Sequence, residues 1–354
     1  MGKYLTNFKT KEEYEAFKAG DSYLTPNVSF IETAGSVIND SYQVPAESGS
    51  SSHKWTGHAD ADGLKAIGWT DEDIAYYQEH GVNWNAEDDE YHKVTDDNKA
   101  LYGVLTADNA WEYADRVVYL PKIDYSGVSW GGFAEMRSLV AIPHLNTSNM
   151  TSAEEMFSQC QSLVCVPPMD TSKVINMSRM FDSCYSLVNV PPMDTSNVDS
   201  MSGMFDSCYS LESIPYMDTS KTRLMDNMFH NCRILVSIPT MDTSRVTNFN
   251  YMFTGCSALV SIEEMSMKSK NVADDMFIDC VSLTRANIKD INNINLYLWD
   301  AGHLSKVSLL YIINNAASTS QSSIQLNSYL YEKFSNDADV IAALEAHPNV
   351  MITD

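Results

Sequence analysis

Six cysteines stand 24 residues apart, at Cys160, Cys184, Cys208, Cys232, Cys256 and Cys280, with a seventh at Cys165. Thiols in such a register offer two chemistries, disulfide bridging and soft-metal ligation. Cysteine-based metal sites use close CxxC pairs or recruit histidine. Here there is no CxxC, and none of the eight histidines follows the 24-residue step. A bridge between two successive cysteines would distort a regular array. The odd count, together with an opening that carries no apolar leader, fits a reducing compartment. The column therefore reads as small buried hydrophobes.

Carboxylates give the next candidates. The run "NAEDDEYH" at 85–92 has the residue types of a glycosidase acid pair, but a solvated acidic loop explains it with fewer assumptions. "GHADADG" at 57–63 sets Asp60 and Asp62 before Gly63, yet lacks the third acidic position and the closing Glu of a calcium loop. No GxSxG elbow, HExxH pair or phosphate loop occurs. The expectation is a non-enzymatic protein without cofactor or metal.

What positions the cysteines is an internal repeat, the feature to settle before any other. Phe157, Phe181, Phe205, Phe229, Phe253 and Phe277 share the 24-residue step, as do Met156 to Met276 before them and Leu163, Leu187, Leu211, Leu235, Leu259 and Leu283 after them. A degenerate earlier copy holds Phe133, Leu139, Ile142, Pro143 and Leu145. After each "DTS", apolar residues at Val174, Met177, Phe181 and Cys184 have the spacing of one face of a short helix. Ser172 is its expected N-cap. "SLVNVPP" reads as a short strand with Leu187 and Val190 inward, ended by Pro191 and Pro192. Asp170, Asp194, Asp218 and Asp242 suit Asx turns. One such unit cannot bury its apolar face, whereas stacked copies build a continuous core.

The unit "DTSxVxxMxxMFxxCxSLxxVPxM" resembles the BspA-type leucine-rich repeat, also found in mycoplasma surface proteins. The likeness covers 133–286 and implies an α/β repeat solenoid of 24-residue coils, each a short strand plus a short helix, with α+β caps at both ends. Ser266 replaces the Asp column and Glu263 ends the Pro column, so the last coil is expected to be altered where it meets a cap.

The flanks differ in composition. Five of the six tryptophans lie at or before Trp130, and every cysteine lies at or after Cys160. Residues 60–132 read as an N-terminal helical cap, with helices opened by Thr70, Thr95 and Thr106 and a strand at 116–121 able to join the first coil. Residues 287–354 read as a C-terminal cap: a helix at 305–317, then strand, helix, helix and a last strand. The Ser/Gly-rich stretch 46–60 is a linker. Residues 1–45 form a separate tyrosine-rich segment with Tyr4, Leu5, Phe8, Tyr14, Phe17 and Tyr23 as anchor residues. That opening is similar to those of virion and tail-fibre proteins of gut Bacteroides phages, including crAss-like phages. The resemblance implies docking on other virion proteins, display of the body outward, and a homotrimer.

Charge narrows the partners. With 47 acidic against 23 basic side chains the formal net charge is −24, which disfavours duplex nucleic acid and anionic lipid. No apolar run approaches a membrane span. The expected role is a phage tail or head fibre or appendage whose solenoid recognises a host-surface glycan or protein. The alternatives are a bacterial BspA-like surface adhesin, located on the cell surface rather than the virion, and a virion decoration without ligand. Buried columns fix the frame and outward columns vary, so Tyr185, Tyr209, Tyr216 and Arg233 are the candidate contact residues.

Overall fold

The structure, a computed structural model, describes residues 64–65, 67–79, 119–120, 122, 132–268, 273, 275–291, 294–316 and 322–353, together with β1 (Phe30–Ile31) and β2 (Val37–Ile38). These two short strands pair antiparallel. The anchor residues Tyr4 to Tyr23, the linker at 46–60, the acidic run at 85–92 and the helices expected after Thr95 and Thr106 lie outside the described residues.

From Phe133 onward the chain winds as coils stacked in parallel. Parallel bridges link Ser152, Asn176, Ser200, Leu224 and Asn248 in series, one per coil. Inside the stack, seven phenylalanines from Phe133 to Phe277 lie ring over ring, with centroids 5.6–5.8 Å apart and planes within 11° of parallel. All seven are buried, as are the leucine, cysteine and methionine columns beside them. This is the continuous core that the repeat requires.

The short helix expected in each coil does not form. Its 3–4 spacing arises instead from consecutive tight turns. In the coil after Thr171, the N–H groups of Met180, Asp182 and Cys184 donate to the carbonyls three residues back, at Met177, Arg179 and Phe181. Between them, Met177, Arg179, Phe181 and Ser183 donate to Ser200, Ser202, Met204 and Asp206 of the next coil. An α-helix cannot share its donors this way, since its bonds all close within the segment. Left-handed residues enforce the alternation: Arg179 (φ 54°) and Ser183 (φ 58°) recur as Gly203 and Ser207, Asn227 and Asn231, Tyr251 and Gly255, and Asp275 and Asp279. Gly, Asn and Asp take this region most readily. With no helix to cap, Ser172 is not an N-cap; its N–H and Oγ donate to Asp170 Oδ1, at 3.1 and 2.7 Å.

The Asx turns form as expected. Ser196, Ser220 and Ser244 donate N–H to Asp194, Asp218 and Asp242 at 3.0 Å each. Beside them runs a buried threonine column. Thr171, Thr195, Thr219 and Thr243 donate Oγ1 to the carbonyls of Asp194, Asp218, Asp242 and Ser266, each at 2.9 Å. The strand expected in "SLVNVPP" is reduced to single contacts: Val188 N–H bonds to Val164 and Glu212 N–H to Val188. Among the described residues only the last two coils lengthen these into strands, β3 (Ser261–Ser266) and β4 (Arg285–Lys289), paired parallel with a register shift between Ile262 and Met265.

Both ends of the stack are covered. At the N-terminal end α1 (Asp71–Glu79) opens after Thr70, whose Oγ1 and N–H bond to Asp73 in a capping box. Tyr77 and Tyr76 on α1 donate their hydroxyls to the carbonyls of Ile142 and Val166, both at 2.8 Å, and so fasten the helix to two successive coils. Tyr119 forms a parallel bridge with Ala141. At the C-terminal end β5 (Asn295–Leu298), β6 (Ser322–Leu326) and β7 (Val350–Thr353) make a parallel sheet in that order. With it go three helices: α2 (Lys306–Asn314) packs on β4 and on α4 (Ala338–Ala346), and α3 (Ser328–Ser335) packs on β6 and β7. Ser305, Asn327 and Asp337 cap the three helices through their side chains. Ser308 Oγ on α2 receives the N–H of Ala286 on β4, which ties the cap to the last coil.

Candidate functional site

Each of the six column cysteines is buried and held by two bonds, and the residue after it is turned outward. The backbone N–H of Cys184 donates to Phe181, and its thiol donates to the carbonyl of Phe157, 3.1 Å away in the preceding coil. The same thiol bond recurs in all six coils at 3.0–3.1 Å. The cysteines are thus hydrogen-bond donors as well as fillers, a role that composition and spacing do not reveal. Burial pushes every one of these thiols up, and Cys165 to about 12. All seven are unbridged. We expect no reaction with a thiol reagent at pH 8 in the native protein, and seven equivalents after unfolding in urea, read by absorbance.

Gln161, Tyr185, Tyr209, Arg233, Ser257 and Val281 follow the cysteines and form one outward column. The Tyr185 and Tyr209 rings stack with centroids 4.8 Å apart and planes 8° from parallel. The Arg233 guanidinium lies over the other face of Tyr209, its Cζ 4.3 Å from the centroid. Ser257 Oγ donates to the Arg233 carbonyl at 3.2 Å. Three of the four candidate contact residues therefore form one unit. Tyr216 does not join it: the residue is 70% exposed and stands seven positions further along its coil, in a column shared with Pro192 and Thr240.

A polar seam runs through Ser158, Asp182, Asp206, His230 and Thr254, three residues before the outward column. Asp182 Oδ1 accepts from Ser183 Oγ at 2.9 Å, Asp206 Oδ1 from Ser207 Oγ at 2.9 Å, and His230 Nδ1 lies 2.8 Å from Asp206 Oδ1. Burial, with the Asp206 charge adding to it, raises the Asp182 carboxyl. The Asp206 hydrogen bond raises His230. A carboxyl raised on folding is neutral in effect at low pH and costs stability as pH climbs above about 4. A raised histidine adds stability below about 6.5 and loses it as pH rises through its folded value. Asp182→Asn is therefore expected to raise the unfolding temperature at pH 7 and to give no gain at pH 3, measured by calorimetry.

Elsewhere the surface is laced by pairs between coils. Arg223 grips Asp199 with Nε and Nη2 at 2.5 and 2.7 Å, and Arg179 reaches Glu155 at 3.4 Å. Arg285 and Lys289 pair with Glu263 and Glu264. Among the described residues, no group of three or more His, Cys, Asp or Glu side chains is arranged to hold a metal, and no helix is long and apolar enough to cross a membrane. The calcium candidates Asp60 and Asp62 lie outside the described residues. The seam and the thiol bonds were hidden in the sequence. The threonine column was visible there as the invariant middle letter of "DTS", without its partner.

Parallel 24-residue coils with buried leucine and phenylalanine columns define a repeat solenoid. The family described as "Mycoplasma protein of unknown function, DUF285" matches residues 132–237, 186–291 and 212–325. These overlapping stretches together span more than half of the chain, and the chain belongs to that family. Among solved structures it is similar to the crystal structure of the T. pallidum leucine-rich repeat protein TpLRR, at 16% identity over 55% of this chain and 77% of that one, with a TM-score of 0.30. Comparison with curated proteins found no match.

Proposed function

We propose that this protein is a non-enzymatic recognition module of the BspA-like leucine-rich-repeat kind, whose coils display the Tyr185–Tyr209–Arg233 unit to a host-surface glycan or protein. The observation that carries the reading is that unit. Two rings and a guanidinium, the commonest anchors in contact surfaces, are stacked across three coils by a frame that is buried beneath them. A rigid frame lowers the ordering cost of binding. The setting proposed is a phage virion, on a tail or head fibre or appendage, with residues 1–45 docked on other virion proteins and a homotrimer as the assembly. It rests on the resemblance of the N-terminal segment.

The test is competition. Purified full-length chain should reduce phage adsorption to its host, and the triple replacement Tyr185→Ala, Tyr209→Ala, Arg233→Ala should abolish that effect while leaving the circular dichroism unchanged. Adsorption that ignores both proteins would favour a decoration without ligand. Membership of a family described from Mycoplasma fits a bacterial rather than a phage protein, and the second reading is a BspA-like surface adhesin. Immunogold label on cells rather than on particles would select it.

A further inference from the structure

We infer that the ligand of the Tyr185–Tyr209–Arg233 unit is an acidic saccharide, bound through a carboxylate at Arg233. The inference deepens the recognition reading above and rests on it.

The arginines are treated differently in this chain. Arg137, Arg179, Arg223 and Arg285 each hold a carboxylate of their own, and Arg245 stands in the field of Asp199. Arg233 is exposed, lies flat on a tyrosine, and makes no ion pair among the described residues. In a protein of net charge −24, a guanidinium paired with none of the described carboxylates is an available one. Stacking uses its face and leaves the rim of N–H donors free, the edge that takes a carboxylate with two parallel bonds. The ring beneath it cannot swing away, because Tyr209 is itself backed by Tyr185.

The same stacking decides how a sugar would meet the tyrosines. Both faces of Tyr209 are covered, one by Tyr185 and one by Arg233. A sugar ring laid flat on Tyr209 is therefore excluded. Tyr209 is left with its ring edge and phenol hydroxyl, and neither the Tyr185 nor the Tyr209 hydroxyl has a hydrogen-bond partner among the described residues. Two hydroxyls beside a free guanidinium, spaced by coils about 4.8 Å apart, suit a chain of hydroxylated rings bearing an acid. A peptide strand fits less well. Strand addition needs free main-chain groups, and the carbonyls of Gln161 and Arg233 in this column are already taken by Ser186 and Ala258 of the following coils.

Calorimetric titration of the full chain with trigalacturonate, its methyl ester and triglutamate tests the inference. The acid should bind. The ester, with no charge to offer, and triglutamate, with no hydroxyls, should each bind at least tenfold more weakly. Arg233→Gln should lose at least tenfold for the acid, Arg233→Lys should not restore it, and Tyr209→Leu should weaken it by removing the support. Equal binding of acid and ester overturns the carboxylate. Triglutamate as tight as the acid overturns the saccharide. Failure of the acid to bind, while the chain still competes for host adsorption, overturns the inference and leaves the recognition reading in place. Loss of competition itself overturns the recognition reading.

Discussion

Phe205→Ala is expected to cost about 3–5 kcal/mol of folding stability, the range for deleting a fully buried aromatic ring. Phe205 is the middle of the ring ladder, stacked at 5.7 Å on Phe181 and at 5.8 Å on Phe229, and wholly inaccessible. Its removal opens a cavity that neither neighbour can fill, because each is locked by the next ring in the series. It also discards two parallel-displaced contacts, each worth about 0.5–1.5 kcal/mol beyond the area buried. In an array whose coils touch only their neighbours, a weak middle coil separates the two halves. We therefore expect a lower urea midpoint and a broadened or split transition, followed by far-ultraviolet circular dichroism. Phe277→Ala, which removes a ring with one stacking neighbour among the described residues, should cost less. Equal costs at the two positions, or a loss below about 1 kcal/mol at Phe205, would mean that the ladder is not what holds the coils together.

Asp73→Ala is expected to cost about 3 kcal/mol and to loosen the N-terminal cap selectively. Asp73 is fully buried, and its two oxygens serve five donors. Oδ2 takes the Thr70 N–H and hydroxyl and the Lys122 ammonium at 2.8 Å; Oδ1 takes the His144 N–H and faces its Nδ1, both at 2.8 Å. Removing one member of such a cluster leaves the others short of a partner, which is the costly way to break a buried pair. Burial alone would push this carboxyl up, but the bonds from Lys122, Thr70 and His144 outweigh it and hold it well below the usual carboxylate range. A folded value below the unfolded one means that the stabilisation is complete above about pH 4 and is lost as pH falls further. The wild-type cap should therefore loosen in acid, and Asp73→Asn should flatten that acid dependence while lowering stability at pH 7. Hydrogen exchange in α1, compared with exchange in the coils, separates loss of the cap from global unfolding.

The repeat was fully legible in the sequence, because burial acts on side chains and side chains recur. Phe, Leu, Cys and Met at constant phase could only stack. The caps were legible at Thr70, which opens a helix, and in the order helix, strand, helix, helix, strand after residue 305; the capping side chains Ser305, Asn327 and Asp337 came from the structure. The inner conformation of the coil was not. Met177, Phe181 and Cys184 have helical spacing, but left-handed backbone at Arg179 and Ser183 turns that spacing into linked tight turns. Most of these positions carry residues such as Arg, Glu, Tyr and Ser, which signal no left-handed turn; the glycines at 203 and 255 occupy the same places in other coils. For the contact face, residue type pointed to Tyr185, Tyr209, Tyr216 and Arg233 together. The 24-residue step unites the first, second and fourth and separates Tyr216, a distinction available from arithmetic alone.

The direction of the hydrogen bonds between coils has a consequence for the ends of the stack. On the flank through Met177 and Phe181, N–H groups point toward the C-terminal end; on the flank through Ser186, Val188 and Asp199 they point back. The two sets of peptide dipoles oppose one another, so adding coils does not build up opposite poles as lengthening a helix does. Each terminus is instead a mosaic of bare donors and bare acceptors. A lid must answer both kinds at once, and the C-terminal one does so: the Asp300 carboxylate accepts the Asp279 N–H at 3.0 Å while the Ser305 N–H donates to the Thr284 carbonyl at 2.9 Å.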